Sequence, residues 1–166
     1  MCVDLFILRH GKAQQADCTT NDAERALTVR GKDEIASVAQ WMVSRGYEVD
    51  VIATSPLKRA RQTAEIIASF QGTTSRITVW DALAIGGDLD AICRNIGECE
   101  ENGKILIVGH EPTLSMFISR IISGTDTAAI VMVKGGLAKI RNYSSQHRPL
   151  GELQWLLSPR QMMISD

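Results

Sequence analysis

Three short segments of the sequence carry residues that are able to bind and attack an anionic group. Arg9, His10 and Gly11 follow an apolar run directly, and His110 follows another such run in the segment G-H-E-P, 109–112. Two of the three histidines in the chain therefore occupy equivalent positions. A neutral imidazole is a competent nucleophile, and a guanidinium pairs with anions. If the two runs are neighbouring strands, both imidazoles open onto one crevice.

The third segment is S-P-L-K-R-A-R-Q-T-A, residues 55–64, in which Arg59 lies near the start of a predicted helix. Free backbone N–H groups and the helix dipole favour an anion at that end. Arg59 and Thr63 stack at a spacing of i and i+4, whereas Arg61 is turned away. A basic cluster alone more often forms a solvated helix face. This segment therefore indicates an anion-binding site only in combination with the two histidine segments.

The elements that position these segments alternate between strands and helices. Apolar runs predict strands at 3–8, 50–54, 76–80 and 104–109, and weaker patterns predict further strands at 128–133, 137–142 and 152–157. Helical periodicity predicts helices from Thr28 to Gly46, Ser55 to Gly72, Asp88 to Gly103 and 111 to 124. Ser55 is the predicted N-cap of its helix, with Pro56 as the first helical residue.

This order of elements predicts an α/β fold with a mostly parallel central sheet and helices on both faces. The last segments leave room for an antiparallel edge strand. Open sheets of this kind bind ligands at the carboxyl ends of their strands, which is where the two histidine segments lie.

Length and composition limit the domain organisation and the classes of partner. A chain of 166 residues with 45% hydrophobic residues fits one domain spanning 1–166. The net charge of −1, with both signs interspersed, predicts neither a nucleic-acid nor a membrane partner. No apolar run approaches the roughly 20 residues that span a bilayer, so we expect a cytoplasmic protein. The cysteines lack C-x-x-C or zinc spacing, which favours reduced thiols: Cys2, Cys18, Cys93 and Cys99.

Taken together, the motifs resemble the histidine phosphatase superfamily, which includes phosphoglycerate mutases and histidine acid phosphatases. The likeness runs from Val3 to about Trp155 and rests on R-H-G (9–11), R-A-L-T-V-R-G (25–31), S-P-x-x-R-A-x-Q-T-A (55–64) and G-H-E-P (109–112). The short chain is similar to the SixA-type branch of phosphohistidine phosphatases. The resemblance implies a phosphoglycerate mutase-like fold.

By the same resemblance, His10 is the nucleophile that becomes phosphorylated, and Arg9, Arg59 and His110 form the phosphate pocket. Phosphoryl transfer spreads negative charge over three oxygens, so fixed cations supply most of the catalysis, with no metal or cofactor if the protein provides them. A protonated His110 is expected to act as a further donor. Gly11 is predicted to let the backbone approach the phosphate, and Gly136 is a weaker candidate because a tight turn also explains it.

Members that cleave phosphate esters resemble one another in having a carboxylic acid that protonates the leaving group. The corresponding region, W-D-A-L-A-I-G-G-D, offers Asp81 and Asp88, although the first suits a turn and the second a helix N-cap. A phosphohistidine substrate tolerates the lack of an acid, because imidazole can leave from a ring that is already protonated. The family then implies a partner protein bearing phosphohistidine, such as a phosphotransfer domain or carrier.

Alternatives remain open at this level. One is a broad-specificity phosphomonoesterase acting on small phosphorylated metabolites, and another is a non-catalytic module that binds phosphate or phosphohistidine. A mutase has little room for its second substrate, and a metal hydrolase lacks H-E-x-x-H spacing. Outside the motifs, His147 is predicted to be a solvated loop residue, and Met162 and Met163 are expected to be exposed near the end of the chain.

Overall fold

The computed structural model describes residues 3–16, 18–72, 76–99, 103–145 and 148–163. Its strands are β1 (Val3–Arg9), β2 (Val51–Thr54), β3 (Arg76–Val79), β4 (Lys104–Gly109), β5 (Leu137–Ser144) and β6 (Leu150–Leu157). Its helices are α1 (Val29–Ser44), α2 (Lys58–Gln71), α3 (Leu89–Gly97), α4 (Thr113–Ser123) and α5 (Pro159–Met162). Short 3-10 helices lie at Asp22–Glu24 and Asp81–Leu83.

The six strands form one mixed sheet in the order β3-β2-β4-β1-β5-β6. Strands β1 to β4 run parallel to one another. Strand β5 is antiparallel to β1, and β6 is antiparallel to β5. The predicted α/β fold is therefore confirmed, with a pair of antiparallel strands at one edge. Because β1 pairs with β4 and Arg9 lies opposite Gly109, the two histidine segments leave the sheet side by side.

Helices cover both faces of this sheet, as predicted. On one face Phe6 and Leu8 of β1 pack with residues of α1, α2 and α5, including Ile35. On the other face Ile7 packs among residues of α3 and α4, including Phe117. Strand β1 is thus buried on both sides, which explains its continuous apolar run and makes it a rigid mount for the residues that follow it.

The predicted start of the second helix is wrong, whereas that of the first is confirmed. Thr28 caps α1, since its side chain accepts from the N–H of Gly31. By contrast, α2 begins at Lys58 with Leu57 as its N-cap, so Ser55 and Pro56 precede the helix. The backbone N–H of Ser55 donates to the carbonyl of Val108 at 2.9 Å, which holds this residue to β4 instead.

Other predicted boundaries also change. Residues 128–133 form no strand, and the carbonyl of Met132 in this segment accepts a hydrogen bond from Arg9 rather than from a sheet ladder. Helix α3 ends at Gly97 instead of 103, consistent with the low helix propensity of glycine. Met162 is buried against the α1 face, contrary to expectation, because α5 packs there, while Met163 is exposed. Cys2 and His147 lie outside the described residues.

None of the helices within the described residues has the length and apolar character needed to cross a membrane.

Candidate active site

The predicted site residues lie together beyond the carboxyl ends of β1, β2 and β4. The ring centroids of His10 and His110 are 4.9 Å apart, so the expected shared crevice is present. Both rings are buried, and the Arg59 side chain from the first turn of α2 is only 2% exposed. A buried arginine beside two buried histidines requires strong polar partners.

The His10 ring is held in one orientation. Its Nδ1 lies 2.7 Å from the backbone carbonyl of Gly11, and a carbonyl only accepts, so Nδ1 donates. In the neutral ring Nε2 therefore keeps its lone pair. The backbone of His10 is fixed as well: its N–H donates to Gly109 and its carbonyl accepts from Gly135. These contacts fix the ring and leave the lone pair of the neutral imidazole on Nε2.

Arg9 links the end of β1 to the segment before β5. Its Nη1 donates to the carbonyl of Met132 at 2.7 Å, and its backbone N–H donates to the carbonyl of Gly136 at 3.0 Å. The segment is anchored in turn by α4, where the Ser119 hydroxyl donates to the carbonyl of Thr125 and accepts from the N–H of Ala128. The loop thus fixes the Arg9 guanidinium beside His10.

Arg59 is held by a residue that the sequence did not single out. Its Nη1 donates to the backbone carbonyl of Asp22 at 2.7 Å, and its Nη2 donates to Asp22 Oδ2 at 3.0 Å. The other carboxylate oxygen of Asp22 accepts from Arg25 Nε at 2.8 Å. Hydrogen bonds from Arg25 and Arg59 keep the pKa of Asp22 below its ordinary value. Asp22 therefore places a carboxylate, 51% exposed, next to the buried arginine.

His110 is positioned by Ser55, a second residue whose role the sequence did not predict. His110 Nε2 lies 2.8 Å from Ser55 Oγ, and that oxygen also accepts from the N–H of Leu57. When the hydroxyl hydrogen points to Nε2, the proton of a neutral His110 ring lies on Nδ1.

Three nitrogens of these side chains are buried without a hydrogen-bond partner among the described residues: Arg9 Nε, Arg59 Nε and His110 Nδ1. A buried donor without a partner costs roughly 1–3 kcal/mol, so such groups are rare in proteins. Their concentration around His10 indicates a site prepared for an oxygen-rich ligand.

Electrostatics keep both rings neutral at neutral pH. Burial, together with the Arg59, Arg9 and Lys134 cations, lowers the pKa of His10 to about 4, although the Gly11 carbonyl opposes the shift. Burial, followed by the charges of His10 and Arg59, lowers the pKa of His110 to about 3. The expected positive charge on His110 therefore requires a bound anion, since an anion raises the pKa of an adjacent imidazole.

The structure gives packing reasons for the two predicted glycines. A Cβ at Gly11 would lie 2.7 Å from Ile35 Cγ1, and the Gly11 N–H donates to Thr63 Oγ1. A Cβ at Gly136 would lie 2.8 Å from the Val133 carbonyl oxygen, to which the Gly136 N–H donates. Both amides are thus engaged inside the protein, and contact of either glycine with substrate stays a prediction.

The two candidate acids occupy structural positions. Asp88 caps α3, accepting from the N–H of Asp90 at 2.8 Å, and pairs with Arg94. Hydrogen bonds from the backbone N–H groups of Asp90 and Ala91 hold the pKa of Asp88 below its ordinary value, which is unsuited to donating a proton near neutral pH. Asp81 starts the 3-10 helix Asp81–Leu83 and is exposed. Within the described residues, no cluster of three or more His, Cys, Asp or Glu side chains is placed to hold a metal ion.

Comparison with known proteins finds a family model and related sequences and folds. The histidine phosphatase superfamily (branch 1) matches residues 5–84. An uncharacterised protein of Picosynechococcus is 32% identical over 97% of this chain and 99% of its own length. The phosphohistidine phosphatase SixA of Escherichia coli is 25% identical over 95% of this chain and 94% of its own length.

In fold, the chain is similar to the structure of the protein histidine phosphatase SixA complexed with tungstate. That similarity has a TM-score of 0.84 at 24% identity and covers 96% of this chain and 99% of the other. The chain belongs to the histidine phosphatase superfamily. It is thereby placed among the phosphate-cleaving hydrolases.

Proposed function

We propose that this protein removes the phosphoryl group from phosphohistidine on a partner protein, through a covalent phospho-His10 intermediate. The observation that carries the proposal is the environment of His10. Its Nδ1 is engaged by the carbonyl of Gly11, and nearby lie three buried nitrogens that lack hydrogen-bond partners among the described residues. A binding module needs the donors but has no use for an oriented nucleophile. The similarity to the phosphohistidine phosphatase of Escherichia coli supports the same choice.

In the first step, His10 Nε2 attacks phosphorus, and the bond from phosphorus to the nitrogen of the substrate ring breaks. The three phosphoryl oxygens meet the guanidinium groups of Arg9 and Arg59 and the Nδ1–H of His110, which stabilise the developing charge. The Gly11 carbonyl keeps its hydrogen bond to His10 Nδ1 and stabilises the ring as it gains positive character.

In the second step, water attacks phosphorus and the bond to His10 Nε2 breaks, releasing phosphate and a proton to solvent. His10 returns to the neutral form with its proton on Nδ1. Two displacements, each with a neutral imidazole as entering or leaving group, replace one difficult hydrolysis. Neither step needs a metal ion, because protein donors neutralise the oxygens.

The leaving group favours phosphohistidine over an alkyl phosphate. An alkoxide must be protonated as it departs, and the two candidate acids, Asp81 and Asp88, are an exposed turn residue and an ionised N-cap. A phosphorylated imidazole that carries a proton on its second nitrogen departs as neutral imidazole without further help. The site therefore suits a P–N bond better than the P–O bond of an alkyl ester.

The surface beside the site supports a protein substrate. Met132 turns inward and its carbonyl holds Arg9, while the flanking side chains of Val131 and Val133 face outward, with Val131 81% exposed. Exposed apolar side chains grouped beside a polar site are typical of surfaces that contact another protein. The expected partner remains a phosphotransfer domain or carrier protein, and a cytoplasmic location remains part of the same proposal.

The direct test is to follow loss of phosphate from a histidine-phosphorylated phosphotransfer protein in the presence of EDTA. We expect hydrolysis by the wild type and none by His10→Ala, and faster turnover of phosphohistidine than of alkyl phosphates. A preference for sugar phosphates would instead identify a phosphomonoesterase of small metabolites, and binding without turnover would identify a non-catalytic module. Loss of activity in EDTA would contradict metal-independent chemistry.

A further inference from the structure

The carboxylate of Asp22 accepts a hydrogen bond from Nη2 of Arg59, a predicted phosphate-binding residue. Among the described residues, no other acidic side chain binds one of the predicted phosphate-binding side chains directly. An anion beside a phosphate site is unexpected, because it repels the phosphoryl group that the arginines attract. The placement is nevertheless well fixed: Asp22 begins a 3-10 helix, its backbone carbonyl accepts from Arg59, and Arg25 holds its other oxygen.

This carboxylate is ionised and half-exposed. Two arginines bind it from the protein side, yet 51% of its side chain remains accessible. A carboxylate has about four lone-pair positions, and the contacts with Arg25 and Arg59 leave acceptor capacity on the open side. Because it holds no proton, Asp22 does not act as the missing general acid; it can only accept a hydrogen bond or stabilise a positive charge.

We infer that Asp22 is a specificity-determining residue, which accepts a hydrogen bond from the second ring nitrogen of a phosphohistidine substrate and so selects the protonated ring. This inference rests on the proposed function. The carboxylate is one guanidinium away from the predicted phosphate pocket, and its charge also acts on the His110 ring, so it borders that pocket. A phosphorylated imidazole with both nitrogens substituted is a cation, and a fixed carboxylate stabilises it.

The chemical step balances without proton transfer to Asp22. His10 Nε2 forms its bond to phosphorus, the phosphorus–nitrogen bond of the substrate breaks, and the electron pair of that bond stays on the departing ring. The proton stays bonded to the second ring nitrogen, which donates a hydrogen bond to the Asp22 carboxylate, so the product is neutral histidine. An alkyl or aryl phosphate offers no such N–H and gains nothing from this residue.

The test compares two substrates in two variants. Asp22→Asn keeps the shape but removes the negative charge, and Glu24→Gln removes a charge from the same 3-10 helix, where Glu24 is exposed and 3.6 Å from Lys58. We expect Asp22→Asn to lower kcat/KM for phosphohistidine about ten- to hundredfold, as for loss of a charged hydrogen bond. For p-nitrophenyl phosphate we expect a smaller loss, because the backbone carbonyl at position 22 still accepts from Arg59, and Glu24→Gln should match the wild type on both.

Equal losses on both substrates in Asp22→Asn would overturn the inference, because Asp22 would then only hold Arg59 in place. Unchanged or increased turnover of phosphohistidine would overturn it too, showing that Asp22 merely competes with the phosphoryl group for Arg59. In one outcome the wild type forms phospho-His10 and cleaves phosphohistidine, while Asp22→Asn leaves the ratio of kcat/KM for phosphohistidine to that for p-nitrophenyl phosphate unchanged. In that case only this inference fails, and the proposed function stands. If the wild type does not cleave phosphohistidine at all, the proposed function fails with it.

Discussion

The hydroxyl of Ser55 lies 2.8 Å from Nε2 of His110 and ties a residue that precedes α2 to the ring that follows β4. Removing it leaves a buried imidazole nitrogen without a partner. We expect Ser55→Ala to lower kcat by about tenfold and the free energy of unfolding by about 1–2 kcal/mol. Steady-state kinetics and chemical denaturation measure the two effects. Ser37→Ala, at a half-buried position on α1 whose hydroxyl makes a solvent-exposed hydrogen bond far from the site, serves as control and should change kcat little.

Arg59 and Arg61 offer a matched pair of substitutions on α2. Arg59 is buried at the site, whereas Arg61 is exposed. A lysine at position 59 keeps the charge but loses the planar fork that meets two oxygens. Arg59→Lys should lower kcat/KM by roughly 10²-fold or more, and Arg61→Lys should leave it unchanged. Similar kinetics for the two variants would mean that Arg59 does not contact the phosphoryl group.

Gly11 is expected to be intolerant of even one methyl group. An added Cβ would meet Ile35 Cγ1 at 2.7 Å and the Gly31 carbonyl oxygen at 3.1 Å. Gly11→Ala should therefore destabilise the protein by about 1–3 kcal/mol, as overpacked cores do. Combining it with Ile35→Ala, which removes the nearer contact, should make the two effects less than additive. Full additivity in thermal or chemical denaturation would show that the crowding is not the cause.

Acid should destabilise the protein through its two site histidines. Their folded pKa values, about 4 for His10 and about 3 for His110, lie below the ordinary value of 6.5. The unfolded chain thus binds more protons below pH 6.5, so stability is complete above that pH and falls as the pH drops toward the folded values. The loss approaches about 1.4 kcal/mol per pH unit for each ring.

The measurement is the free energy of unfolding between pH 6.5 and about 5, before most carboxylates titrate. A His10→Asn, His110→Asn double variant should show a flatter dependence in this window. A dependence as steep as that of the wild type would assign the acid sensitivity to other groups.

The fold and the central site residues were predictable because local patterns encode them. The continuous apolar run of β1 reflects a strand buried on both faces, and Arg9 and His10 follow its end. Ser55 was misread because Ser-Pro before a helical pattern is a strong N-cap signal, whereas its hydroxyl meets His110, 55 residues away. Nothing local links Asp22 to Arg59, 37 residues on, so only the folded chain reveals that contact.

In the segment 128–133, local sequence predicted a strand that the structure does not contain. Its β-branched residues favour a strand, but the backbone carbonyl of Met132 binds the Arg9 guanidinium and the segment joins no ladder. The β propensity of a segment shows only that its residues suit a strand. Here the long-range contact between Arg9 and the Met132 carbonyl accompanies an irregular segment instead.

The phosphorylated intermediate tests the central claim most directly. The wild type is mixed with a phosphotransfer protein carrying labelled phosphohistidine, quenched in alkali within the first turnover, and its labelled residue is identified by peptide mapping. We predict acid-labile label on His10, none in His10→Ala, and unchanged label in His147→Ala, which removes the third histidine of the chain. Label on any other residue, or full hydrolysis by His10→Ala, would contradict the account.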